Sequence, residues 1–174
     1  MIEVSCAPYV PSKPEVVQKM LEIADLKPND VVYDLGCGDG RILIKAVEDF
    51  NVKKAIGYEL DKQRYKSTIK EIKRRNLQDR IEIINGNLFE ADISDATVVT
   101  LYLTSWGNDR LKPKLSKETR PGTRVVSHSF RISEWRVVKE ESVGYFRTVY
   151  LYVIPESFDI KRNDWSTRIK KIFF

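Results

Sequence analysis

The chain has 174 residues, 42% of them hydrophobic and 32% charged, and thirty cations against twenty-five anions leave a net charge of +5. That is the length of one domain with enough apolar side chains for a core, so chain-wide disorder is excluded, and no apolar run approaches the roughly 18 residues of a membrane span. The basic bias is mild; it permits an acidic partner such as RNA, and an ordinary mixed, solvated surface accounts for it better.

In chain order, Pro8 and Pro11 around Tyr9 and Val10 predict an extended segment. Ser12-Lys13-Pro14-Glu15 fits a capping box with proline in the first turn, and Val16, Val17, Met20, Leu21, Ile23 and Ala24 give the following helix an apolar face. Residues 31–35 are a strand apolar on both sides, as in a buried parallel sheet. A glycine turn, Gly36-Cys37-Gly38-Asp39-Gly40, leads to a helix beginning near Arg41, with Ile42, Leu43, Ala46, Val47 and Phe50 on one face. Strand 54–59, helix 62–75 and strand 81–85 follow, the helix carrying Lys62, Lys66, Lys70, Lys73 and Arg74 on its solvent side. Residues 96–103 and 123–130 form two more strands, with a short helix expected over 111–115. Residues 135–143 and 146–154 then read as an antiparallel hairpin turning at Gly144-Tyr145. Alternating strands and helices closed by a hairpin describe an open α/β sheet with a mostly parallel centre. Residues 155–174 are expected as an extension outside the 1–154 domain; Trp165, Ile169, Ile172 and Phe173 have helical spacing there, suited to packing on the domain or a partner.

The chemistry concentrates at strand ends, since ligands of open α/β sheets bind at the carboxyl edge near the point where strand order reverses. The pattern Asp34-x-Gly36-x-Gly38-x-Gly40 departs from the dinucleotide fingerprint G-x-G-x-x-G, which would require glycine where Arg41 stands; this disfavours a nicotinamide oxidoreductase. Glu59 ends the second strand about 20 residues after the first glycine, the spacing at which a carboxylate accepts from ribose hydroxyls, although it could instead cap the next helix. Asn87 after the third strand offers an amide oxygen to an adenine amine, or forms a turn with Gly86. Glu90, Asp92 and Asp95 precede the fourth strand rather than end it, and with a single histidine no metal site is expected. His128 at the end of the fifth strand is either a general base or a satisfied, partly buried histidine. Cys6 and Cys37 are expected to stay unpaired, and with no recognisable secretory signal the protein is expected to be cytoplasmic.

The glycine turn resembles motif I of class I S-adenosylmethionine-dependent methyltransferases. Further blocks narrow the likeness: residues 8–12, 96–100, 111–115, 121–128 and 148–154 resemble small archaeal protein-lysine methyltransferases related to the ATP-synthase c-subunit lysine methyltransferase group. The resemblance covers residues 8–154. It implies a Rossmann-like seven-stranded methyltransferase fold, S-adenosyl-L-methionine as cofactor and protein lysines as substrate, often with broad specificity. Carried over, Gly36, Gly38 and Gly40 line the methionine part of the cofactor and Asp34 lies near its amino group. Glu59 holds the ribose, Asn87 and Leu88 flank the adenine, and Tyr9 and Ser12 close over the whole; packing and helix capping are the plain alternatives for these last two. Tyr102 and Trp106, at the end of the fourth strand, are the candidate walls of a lysine channel. An RNA or small-molecule methyltransferase and a non-catalytic cofactor-binding module remain as competing readings.

Overall fold

The computed structural model describes residues 8–158; Cys6 and the helical spacing expected around Trp165 lie outside them. Seven strands form one sheet in the order β3-β2-β1-β4-β5-β7-β6. They are β1 (Val31–Leu35), β2 (Lys54–Glu59), β3 (Ile81–Asn85), β4 (Val98–Leu101), β5 (Arg124–His128), β6 (Lys139–Val143) and β7 (Arg147–Val153). The first five are mutually parallel, and β7 runs antiparallel to both β5 and β6. The expected seven-stranded, mostly parallel sheet with a closing hairpin is therefore the observed one. β1 lies between β2 and β4, so the chain leaves it in both directions and a crevice opens at its carboxyl end.

Alternate residues of each central strand feed two separate cores. Val32, Val98, Val126 and Val149 point to one face, where they pack beneath α1 (Pro14–Ile23) and α2 (Arg41–Phe50), with α3 (Lys62–Arg74) at the margin. Tyr33, Leu35, Val99, Leu101 and Val125 point to the other, under Leu111 and Leu115 of α4 (Ser105–Glu118). Burial on both faces is what turned β1 and β4 into continuous apolar runs.

Local chemistry sets several boundaries differently from expectation. α1 is not opened by a Ser12 capping box: Lys13 is the N-cap, its carbonyl accepts from the backbone amides of Val16 and Val17, and no side chain caps the helix. The Ser12 hydroxyl is drawn instead to His128, across 116 residues of sequence. β5 stops at His128 because Ser129 takes φ of 63°, which no strand continues. α4 is longer than the expected five residues. Thr104 caps it through the Gly107 amide, and Leu111 and Leu115 anchor it to the core while Pro113 sits inside.

Candidate active site at the carboxyl edge of the sheet

The turn after β1 runs through three glycines with positive φ: 96° at Gly36, 56° at Gly38 and 74° at Gly40. A β-carbon at Gly38 would lie 2.7 Å from the Tyr9 ring, and one at Gly40 would lie 2.7 Å from the Thr68 methyl. The glycines thus permit the backbone path and also the close approach of the elements packed on it. Thr68 of α3 donates to the Gly38 carbonyl at 2.9 Å, and the Tyr58 carbonyl of β2 accepts from the amides of Gly36 and Cys37 at 3.0 and 2.9 Å. Gly57, paired with Asp34 in the sheet, completes the frame. A β-carbon there would lie 2.6 Å from both Cys37 Sγ and Leu43 Cδ1, so the turn and the start of α2 occupy the space a side chain would need. The sequence reading passed over Gly57, although an isolated glycine inside a strand marks such close approaches.

Glu59, only 5% exposed, turns back onto this turn. Its Oε2 accepts from the Gly38 amide at 3.0 Å, and its Oε1 accepts from the Asp61 amide at 2.7 Å and from Arg64 at 3.3 Å. The alternative of a capping role for Glu59 is answered by Asp61, which caps α3 by accepting from the Arg64 amide at 2.7 Å. Asp34 is buried beneath the turn and accepts from the Thr100 hydroxyl at 2.9 Å. Burial pushes its pKa up to about 7, with the nearby Asp39 and Glu59 charges acting in the same direction and the Thr100 hydrogen bond opposing. The Cys37 thiol is likewise pushed up by burial.

A strap, residues 8–12, lies across the turn. The Tyr9 ring covers Gly38, with the Arg64 guanidinium 4.7 Å from its centre. Arg41 is ion-paired with Asp39 and donates from Nη1 to the Ser12 carbonyl at 2.6 Å. The Ser12 hydroxyl is hydrogen-bonded to His128 Nδ1 at 2.9 Å, and the His128 ring stacks on Tyr102 with 3.8 Å between centres. Burial, with the Arg147 charge adding to it, lowers the His128 pKa to about 4, so the ring is neutral at physiological pH.

Strap, turn and strand ends enclose one cleft. Among the sequence-expected residues, it brings together Tyr9, Ser12, Asp34, Gly36, Gly38, Glu59, Asn87, Leu88 and Tyr102. Asn87 also accepts from the Phe89 amide at 3.1 Å through Oδ1, which retains a second lone pair. Two expected residues lie elsewhere. Gly40 is outside the lining and serves as the left-handed N-cap of α2, and Trp106 is 57% exposed on the first turn of α4. Arg41, Arg64 and Phe89 line the cleft without having been singled out for it; their contacts join elements distant in sequence, which no local spacing reports.

The donor set suits an adenosyl sulfonium ligand. A buried carboxylate stands beside a backbone turn held open by glycines, and a second carboxylate, hydrogen-bonded by the Thr100 hydroxyl, lines the same cleft. A family model described as the ANTKMT methyltransferase domain matches residues 34–139. The chain is 53% identical over 152 residues to a protein-lysine N-methyltransferase of Saccharolobus islandicus, covering 86% of this chain and 94% of that protein. It is 29% identical to the adenine nucleotide translocase lysine N-methyltransferase of Mus musculus, over 86% of this chain and 64% of that protein. Among solved structures, an RNA methyltransferase from Salinibacter ruber in complex with S-adenosyl-L-homocysteine superposes with a TM-score of 0.81 at 44% identity, covering 84% of this chain and 95% of that one.

Proposed function

Because the chain belongs to the ANTKMT methyltransferase-domain family and uses S-adenosylmethionine as methyl donor, we propose that it is a protein-lysine N-methyltransferase. The observation that carries the lysine assignment is the 53% identity to the Saccharolobus enzyme across 94% of its length. In this reading residues 1–154 are the catalytic domain and residues 155–174 an extension. Gly36 and Gly38 let backbone approach the methionine part of the donor, and Gly40 shapes the entry into α2. Asp34 faces the donor amino group, Glu59 takes the ribose hydroxyls, Asn87 and Leu88 flank the adenine, and Tyr9 and Ser12 close over it. A cytoplasmic setting belongs to the same reading and suits the unpaired, buried Cys37 thiol.

When bound, the donor supplies a methyl group on a positively charged sulfur, open to in-line displacement. The chain's own task is to present a lysine with its lone pair free, although that amine has a pKa near 10.4 in water. Tyr102 stands at the cleft with its ring against His128. Since the imidazole is neutral, it places no positive charge behind the wall along which an ammonium approaches. An aromatic wall attracts the cation and then excludes water, and desolvation lowers the lysine pKa toward the free amine. Positioning and desolvation, rather than a strong base, supply the acceleration. Trp106, outside the lining, belongs to the approach and not to the channel.

The 44% identity to the Salinibacter protein favours a second reading, methylation of RNA. Incubating the full chain with methyl-labelled donor and a mixture of cellular protein and RNA separates the two. Label on lysine ε-amines, located by mass spectrometry, is the expected result. Label confined to RNA overturns the lysine reading.

A further inference from the structure

Arg110 occupies an arrangement that the reaction does not use. Its guanidinium carbon lies 4.2 Å from the centre of the Phe89 ring and 5.3 Å from that of Trp106. Trp106 is one helical turn earlier on α4, so the pair stacks along the helix, while Phe89 comes from the 3-10 turn Leu88–Glu90 after β3 and lines the cleft. The guanidinium thus contacts both rings at the lip of the site.

Neither ring can accept from the five in-plane N–H donors of the arginine. Among the described residues Arg110 forms no ion pair, and its side chain is exposed. The other arginines at the cleft differ: Arg41 is paired with Asp39, and Arg64 with Glu59. Adjacent Asp109 is already engaged, accepting from the Ser133 amide and hydroxyl at 2.9 and 2.6 Å. An arginine ordered by stacking loses less side-chain freedom on forming a bidentate pair, and its fork matches a carboxylate.

We propose that the Phe89–Arg110–Trp106 stack is a specificity site that receives a carboxylate near the target lysine, so that the enzyme favours lysines in acidic surroundings. The inference rests on the protein-lysine reading above and adds a substrate preference to it. A protein carboxylate fits better than an RNA backbone, because a polyanion is bound by a track of uncommitted cations. The two arginines lining the cleft are each paired, Arg41 with Asp39 and Arg64 with Glu59.

The test uses the full chain, S-adenosylmethionine and two synthetic peptides competing in one tube. Each has a single lysine, flanked within three residues on both sides by glutamates in one and glutamines in the other. Mass spectrometry reads the ratio of methylated products. The expected ratio favours the glutamate peptide by about threefold to fivefold, the size of an exposed ion pair, and shrinks in about 0.5 M salt. Arg110→Ala brings the ratio to about one, and Arg110→Glu takes it below one, in favour of the glutamine peptide. Because each ratio is internal to one variant, it does not depend on how much of that variant is folded. Equal rates for the two peptides with the wild-type chain, or a preference that survives Arg110→Ala, overturn the inference and leave the lysine reading standing. Label confined to RNA in the mixed protein-and-RNA incubation described above, with no methylation of either peptide here, overturns both.

Discussion

Asp34 carries the sharpest tension of any single side chain. It is 3% exposed, its one hydrogen-bond donor among the described residues is the Thr100 hydroxyl, and burial lifts its pKa to about 7. A carboxyl in that state changes charge near neutral pH, and an ammonium placed against it favours the ionised form. If it meets the amino group of the donor, affinity for S-adenosylhomocysteine should increase as pH rises from 6 to 8, by up to about tenfold. Asp34→Asn should bind more weakly and lose that dependence. Isothermal titration calorimetry across this range checks both, and an unchanged pH slope in the Asp34→Asn variant would remove Asp34 from the contact.

Among the elements, α4 departs most from its sequence pattern. Proline in a helix interior removes one hydrogen bond and crowds the preceding turn, and only residues 111–115, with Pro113 at their centre, are expected from the sequence to be helical. The helix persists over Ser105–Glu118 because Thr104 closes its start and Leu111 and Leu115 are fully buried on the second core. Pro113→Ala restores the missing amide for the Asp109 carbonyl at an exposed position, and should stabilise the protein by about 1–3 kcal/mol in chemical denaturation. The other elements were legible for a physical reason. Strands buried on both faces are continuously apolar, and the α1 and α2 stripes repeat at helical spacing. The glycine turn, Asp34, Glu59 and Tyr102 were legible because strand ends in such sheets converge. The Ser12–His128 bond, the Arg64–Tyr9 stack and the placement of Trp106 outside the cleft were not. Each depends on how segments distant in sequence meet, and the capping-box pattern at Ser12 competed with a tertiary partner and lost.

At the scale of the whole molecule, the two perturbed groups behind the cleft act on stability with opposite signs. The Asp34 pKa is raised to about 7, so on acidification from 7 toward 4 the native state takes up a proton that the unfolded chain does not, and stability rises. That of His128 is lowered to about 4, so between 6.5 and 4 the unfolded chain takes up the proton first, and stability falls. The two slopes, each of order 1 kcal/mol per pH unit, largely cancel between pH 6.5 and 4. Relative to wild type, Asp34→Asn should therefore lose melting temperature on acidification through this window, and His128→Gln should gain it. Thermal denaturation from pH 7 to 4 checks the pair, and parallel curves for all three proteins would contradict it. A different consequence follows from the bare position 57. The glycine turn is shaped as much by the strand beside it as by its own residues, since a single methyl group there would strike Cys37 and Leu43 at 2.6 Å. Transplanting residues 34–41 into another parallel sheet would consequently yield a functional loop only where the recipient's adjoining strand is also stripped of its side chain at that register.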